Sequence, residues 1–371
     1  MFLQNLSLVR ITRLSGALLA LTFALLTSLP AVAEGYAIGV YYYPGWSPVF
    51  KRPDHQPDPW QPIRAFPERQ PELGWYRDDQ VETVEKQLQW MSQYGISFVT
   101  FDWYWGAGCA EPETAVRAYL RAPSRAKVKY ALLWANHFKV ADAALQWDKM
   151  VDFWLQQHLQ NPEYLRVDDQ PVVFIFSGDF LRDNAAASGT SARALIDRAQ
   201  AKARAAGLKG IHFVLGTPAL EYWVKGFAVD AGFSALSAYN YHQGYAGSPA
   251  SATRVSHSFR ELDSAYRMQW RWMLDNSKLP YFLPMTSGWD SRPWGGSKED
   301  PLHDRSVSTP DEFEAHLRAA KSMMDAHPEK TRKMGIICCW NEFGEGSYIE
   351  PTKGNGFGYL ERIRAVFGKR P

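Results

Sequence analysis

With 371 residues, 46% of them hydrophobic, the chain is long enough for one large domain or two ordinary ones. Its 41 Lys and Arg are interleaved with 39 Asp and Glu and form no basic block, which argues against a phosphate-rich partner such as nucleic acid. The three cysteines, Cys109, Cys338 and Cys339, are too few to staple a fold of this size.

Residues 1–33 read as a secretory signal. Arg10 and Arg13 supply a positive start, residues 14–26 an almost uninterrupted apolar stretch, and Ala31-Val32-Ala33 a small-x-small cleavage pattern. An uncleaved anchor is the alternative, but the stretch is short for a span of about 20 residues. The expectation is export to the periplasm or the medium, with cleavage after Ala33 and no stable membrane span thereafter. Losing this segment removes two arginines and no acids, so the mature chain is formally neutral. No linker, charge run or repeat divides residues 34–371, which are expected to form a single domain.

The first apolar run of strand length is 36–43, followed by a long Pro-rich loop, 44–77, whose Asp54 and Asp58 receive no role. Over 79–94, Val81, Val84, Leu88 and Met91 recur on one helical face, and Gly95 serves as the C-cap. Further strand-like runs stand at 96–101, 128–134, 171–176, 211–215, 233–239, 281–285 and 335–340. Helical segments separate them at 113–120, 143–159, 191–206, 219–224, 259–275 and 310–326, with a last one at 359–367. The strand runs are continuously apolar rather than alternating, as expected of strands buried on both faces. Eight such strand–helix units predict an α/β fold, a (β/α)8 TIM barrel. A doubly wound sheet is the alternative; it would bring a Gly-rich phosphate turn after the first strand, and Tyr43-Pro44-Gly45-Trp46 is not one.

Barrel enzymes build their sites at the C-terminal strand ends. Here those ends carry aromatic, amide and acidic residues: Tyr41, Tyr42 and Tyr43; Asp102, Trp103, Tyr104 and Trp105; Trp134, Asn136 and His137. Later ends carry Tyr239, Asn240, Tyr241 and His242, then Trp289 and Asp290, then Trp340 and Asn341. Sugars match this mixture, since their C–H faces stack on rings and their hydroxyls pair with amides and carboxylates. The expected substrate-binding set is Tyr42, Tyr43, Asp102, Trp103, Trp105, Trp134, Asn136, Tyr239, Asn240, Trp289, Asp290, Trp340 and Asn341. The expected partner is thus a polysaccharide or oligosaccharide.

Catalysis is assigned to Glu342 and Glu345, which follow the last apolar run three residues apart. Acid–base work needs such a pair, one group giving a proton while the other takes one. Glu350, ahead of Pro351, reads as structural. Cys338 and Cys339 read as small core residues on opposite strand faces, with a bridge from Cys109 to one of them as the alternative. No His spacing suggests a metal and no GxSxG motif occurs, so neither a metal nor a cofactor is expected. Gly354-Asn355-Gly356-Phe357-Gly358 lacks the Lys-Ser/Thr ending of a phosphate loop and reads as a flexible turn.

The run Trp340-Asn341-Glu342-Phe343-Gly344-Glu345-Gly346-Ser347-Tyr348-Ile349-Glu350-Pro351, with Phe357-Gly358-Tyr359-Leu360 after it, resembles the last-strand signature of glycoside hydrolase family 99-like proteins. That group includes the endo-α-mannosidases and the WbsX-like proteins. Matching pieces stand in order at Tyr41-Tyr42-Tyr43-Pro44, Phe101-Asp102-Trp103-Tyr104-Trp105, Trp134-Ala135-Asn136 and Pro284-Met285-Thr286-Ser287-Gly288-Trp289-Asp290. The resemblance implies a retaining, endo-acting glycosidase that needs no metal. By residue carry-over, Glu342 acts as base on the sugar's own 2-hydroxyl, giving a 1,2-anhydro intermediate, and Glu345 is the acid, with a raised pKa. The usual glycosyl-enzyme route stays open, as do transglycosylation and a non-catalytic glycan-binding or polysaccharide-export barrel. One departure counts: the endo-α-mannosidase motif has His where Gly344 stands, so substrate specificity does not carry over.

Overall fold

The computed structural model describes residues 35–49, 57–106, 109–110, 113–137, 139, 142–241 and 255–368. Every described residue belongs to one compact unit, Val32–Pro371. The expected signal segment and its cleavage point, together with Asp54 and His242, lie outside the described residues.

Each of the eight apolar runs forms a strand: β1 (Ala37–Tyr42), β2 (Phe98–Trp103), β3 (Lys129–Trp134), β4 (Gln170–Ile175), β5 (His212–Gly216), β6 (Ala235–Ser237), β7 (Leu283–Thr286) and β8 (Met334–Cys338). All neighbours are parallel, in the spatial order β7-β8-β1-β2-β3-β4-β5-β6. A parallel bridge between Leu236 and Tyr281 closes the ring, and the Phe282 N–H donates to the Leu236 carbonyl at 2.9 Å. The expected TIM barrel is therefore the observed fold. Strand β1 is flanked by β8 and β2, with Val40 level with Ile337 on one side and Val99 on the other.

The principal helices are α1 (Val81–Gln93), α2 (Thr114–Arg121), α3 (Ala143–Gln157), α4 (Gly178–Ala187), α5 (Ala192–Ala205), α6 (Phe259–Asn276), α7 (Pro310–Ala326) and α8 (Gly358–Phe367). Helix α7 starts where its sequence dictates. Thr309 and Glu312 form a reciprocal capping box, and Pro310 occupies the first turn, where its missing N–H costs nothing. Helix α4 was not anticipated. It is short and polar and buries little beyond Leu181 and Ala185, so its periodicity is weak, although Ser177 caps it. The expected helix over 219–224 instead becomes a wide π-type turn, Tyr222–Phe227, leading into Ala228–Ala231. Among the described residues, no helix is long and apolar enough to cross a membrane.

Two aromatic layers position the site. On the barrel side of the strands, Tyr41 packs on Phe174 and Tyr239, with centroids 5.9 and 4.8 Å apart. A separate cluster joins Tyr43, Trp46, Trp60, Ile63, Tyr76, Phe343 and Tyr348. Trp46 and Trp60 stack at 3.9 Å, so the Pro-rich loop, which carried no secondary-structure pattern, is an aromatic bed under residues 341–348. Its proline-rich composition suits this task, because a loop stiffened in the unfolded state loses less entropy on being fixed. The turn at 354–358 is likewise fixed rather than flexible: the Gly354 N–H donates to the Glu68 carbonyl at 2.8 Å, and Thr352 bridges to both Pro71 and Gly356.

The cysteine expectation needs correction. Cys338 and Cys339 are joined to each other in a disulfide between adjacent residues, which leaves Cys109 outside the bridge. The opposite-faces argument assumed that the pleat continued to Trp340, whereas β8 ends at Cys338 and the chain turns there.

Candidate active site

The chain leaving β8 makes a tight hairpin, not an open loop. Asn341 pairs with Tyr348 and Glu342 with Ser347 in antiparallel register. Within the turn, the Glu345 N–H donates to the Glu342 carbonyl at 3.2 Å. Gly346 closes it at φ 68°, where a side chain is disfavoured and a Cβ would come within 2.7 Å of the Asp290 nitrogen. Phe343 points down into the aromatic bed, 5.5 Å from both Trp46 and Trp60. From the other side, the buried Arg69 guanidinium donates to the Phe343 carbonyl at 2.8 Å and the Asp290 carbonyl at 3.1 Å. Backbone, rings and one buried cation thus fix the two glutamates from below.

Their side chains share surroundings. The Tyr239 hydroxyl lies 3.1 Å from Glu342 Oε1 and 2.9 Å from Asp102 Oδ2. Burial raises the pKa values of Tyr239 and Tyr104 well above the usual phenol range, and Asp102, Glu342 and Glu345 all push both further upward. Three carboxyls from the ends of β2 and β8 therefore surround the same two phenols at the C-terminal mouth. Glu345 keeps part of its surface at the opening, but loss of water around its carboxyl lifts its pKa to about 7. Burial lifts Asp102 well above the carboxylate range and Glu345 adds to this, while the Tyr239 contact opposes it. This arrangement can hold a proton on one carboxyl beside an ionised neighbour near neutrality. Among the described residues, no group of three or more His, Cys, Asp or Glu side chains is placed to hold a metal ion.

The expected sugar-binding residues separate by strand face. Tyr42 donates to Gln87 Oε1 on α1 at 3.0 Å, Trp103 donates to Glu113 at 2.7 Å, and Trp134 packs on Trp147 and Trp154 of α3. All three face the helices rather than the barrel mouth. Trp105 stacks on Trp103 and donates to Gln146 at 3.0 Å. Asn136 spends its amide on Ser177, donating to its carbonyl and accepting from its N–H, both at 2.7 Å. Asn341 does the same for Tyr43 at 3.0 and 2.9 Å, and Trp340 is wholly buried. Asn240 ties Ser347 to Tyr266.

Asp290 is saturated by Arg69 and by Arg292, whose Nη2 lies 2.6 Å from Oδ2, so it braces the loop after β7 and does not face a sugar. The Trp289 ring lies against His303 at 5.7 Å. Tyr43 belongs to the aromatic bed, with its ring edge toward Trp294. Of the expected set, Asp102 and Tyr239 stand beside the glutamates.

Sequence reasoning named Tyr104 at a strand end without placing it in the binding set, and it overlooked Arg69 and Trp294. Trp294 is 37% exposed, and its ring fills the space above Gly344, where a Cβ would lie 2.0 Å from a ring carbon. The signal for it was a second Trp in the Gly/Ser/Pro loop from which Trp289 alone was chosen.

Glu350, assigned to structure, is a buried brace. Tyr76 donates to its Oε2 at 2.7 Å and Gln87 to its Oε1 at 2.9 Å, while Tyr76 also meets the Asn341 amide. Burial raises its pKa to about 8 from an ordinary 4.5. Because the folded value is the higher one, this group's stability contribution is complete below 4.5 and is lost as pH rises toward about 8. Glu350→Gln removes that loss. In urea unfolding, the variant is expected to gain on the wild type with rising pH, by at most about 5 kcal/mol above pH 8 at 1.36 kcal/mol per unit. A constant difference across that range would count against it.

Comparison with known proteins agrees with the fold. Residues 46–363 match the sequence model of the family described as Glycosyltransferase WbsX. The uncharacterized protein WxcX of Xanthomonas campestris pv. campestris, from two strains, is 24% identical over 81% of this chain. The match takes in 43% of WxcX, so the chain spans less than half the length of these curated relatives. Among solved structures, the GH99 endo-alpha-mannosidase from Bacteroides thetaiotaomicron superposes with a TM-score of 0.59 at 14% identity, covering 89% of this chain and 96% of that one. A glycoside hydrolase-like protein gives 0.64 at 16% identity, covering 91% and 96%. At these identities the likeness is one of fold, a glycoside hydrolase-like barrel. Because the family match runs through nearly the whole barrel, the chain belongs to the WbsX family.

Proposed function

We propose that the protein is an exported glycoside hydrolase that cleaves α-linked, mannose- or glucose-containing glycans with retention, Glu342 serving as base and Glu345 as acid. One observation carries the reading: the hairpin after β8 holds both glutamates at the barrel mouth, around phenols they share with Asp102. Glu345, with a pKa near 7, is suited to protonate a departing glycosidic oxygen and then to take a proton from water. Glu342, against the Tyr239 hydroxyl, is suited to draw a proton from a sugar hydroxyl so that it can attack the anomeric carbon. The fold shared with an endo-alpha-mannosidase and a glycoside hydrolase-like protein supports the same class.

A second reading, sugar transfer, is favoured by the family's own description as glycosyltransferases. The two differ in the acceptor. Incubating the full chain with a panel of α-linked polysaccharides, and sizing the products with and without added oligosaccharide, separates them. Hydrolysis predicts shorter chains with new reducing ends in both conditions. Products that appear only with the acceptor favour transfer, and no change on any glycan would overturn the catalytic reading.

A further inference from the structure

A phenol carries one hydrogen, yet the Tyr239 oxygen lies within hydrogen-bond reach of two carboxyls, Asp102 at 2.9 Å and Glu342 at 3.1 Å. Were both ionised, one carboxylate oxygen would face the lone pairs of the phenol with no hydrogen between them. Both contacts are satisfied only when one carboxyl is itself protonated, giving a chain of two hydrogen bonds through the phenol oxygen.

Burial alone does not choose between them, since Asp102 is 5% exposed and Glu342 4%. What bears on Asp102 is the negative charge of the neighbouring Glu345, and its second oxygen, Oδ1, is buried without a hydrogen-bond partner. A bare carboxylate oxygen in such a wall is costly, whereas a neutral acid leaves only a weakly solvated carbonyl. The titratable groups around it include Tyr41 from β1, Tyr104 from its own loop, Tyr239 from beyond β6, and Glu342 and Glu345 from the hairpin. None of them supplies a positive charge.

We propose that Asp102 is held as the neutral acid in the resting protein and donates its proton to the Tyr239 oxygen, so that the Tyr239 O–H points at Glu342. No proton leaves the array, and no bond other than hydrogen bonds changes. Asp102 is then a positioning residue: it acts through Tyr239 to orient the Glu342 carboxylate and reduces the negative charge crowded at the mouth. The inference rests on the reading of Glu342 as the base for its catalytic meaning, but not for its test.

That test is infrared difference spectroscopy of the ligand-free full chain at pH 7. Subtracting Asp102→Asn from wild type is expected to reveal the C=O stretch of a protonated carboxyl. The band should shift in Tyr239→Phe and persist in Glu342→Gln. Its absence from the first difference, or its loss in Glu342→Gln instead, would overturn the proposal. For a glycan that the wild type cleaves, Asp102→Asn, which keeps an N–H donor for Tyr239, is expected to cost about threefold in kcat. Asp102→Leu, which keeps bulk and removes the donor, should cost about 10²-fold with KM little changed. Equal losses in the two variants also refute it, provided their melting temperatures match. The spectra need no substrate, so a chain inactive on every glycan would sink the glycosidase reading while leaving this result intact.

Discussion

Glu345→Gln is expected to lower turnover on a natural glycan by about 10³-fold, within the range typical of removing a general acid. A substrate whose leaving group departs without a proton should recover its cleavage step. The argument starts from burial: protein around the Glu345 carboxyl lifts its pKa to about 7, so a large share of the molecules carry the proton at neutrality. Gln matches the shape but has no acidic proton to give. The acid form fills below about 7, so the wild-type rate on natural glycans should fall as pH rises through that value. The same limb should vanish for the variant on the activated substrate. Equal loss on both substrates would remove Glu345 from the acid role.

Glu342→Gln should behave differently. Its loss, also about 10³-fold, is expected on natural and activated substrates alike, because a missing base blocks the attack whatever the leaving group. The amide keeps an oxygen for the Tyr239 hydroxyl, so folding should be preserved, and melting temperature checks this. Rescue of Glu342→Gln by an activated leaving group would exchange the two assignments.

Much of this architecture was legible before any coordinates. The eight strands were readable because burial on both faces makes them continuous apolar runs, and the acid pair was readable because it follows the last of them. That same continuity hid which strand-end rings reach the mouth. Side chains alternate along a strand, but when both faces are apolar the pattern does not say which parity points inward. Tyr42 and Trp103 were therefore chosen although they face the helices, while Tyr41 faces the barrel and packs on Tyr239. Asn136 and Asn341 looked like ligands because amides at strand ends can pair with sugar hydroxyls. They pair instead with backbone partners across the barrel rim. The buried Arg69 gave no local signal, since its partners are distant in sequence.

The ring of Trp294 takes the volume that a side chain at position 344 would need. Bulk at these two places is thus mutually exclusive. Family members that carry a large residue ahead of the second glutamate should show a small residue at the other position, or a rerouted loop. An alignment of the family would reveal the exchange as correlated substitution. Where the aromatic group is the one retained, the surface above residue 344 is built from the loop after the seventh strand rather than from the hairpin after the eighth. On the proposed reading, changes in that loop alter the glycan accepted without disturbing the backbone that carries Glu342 and Glu345.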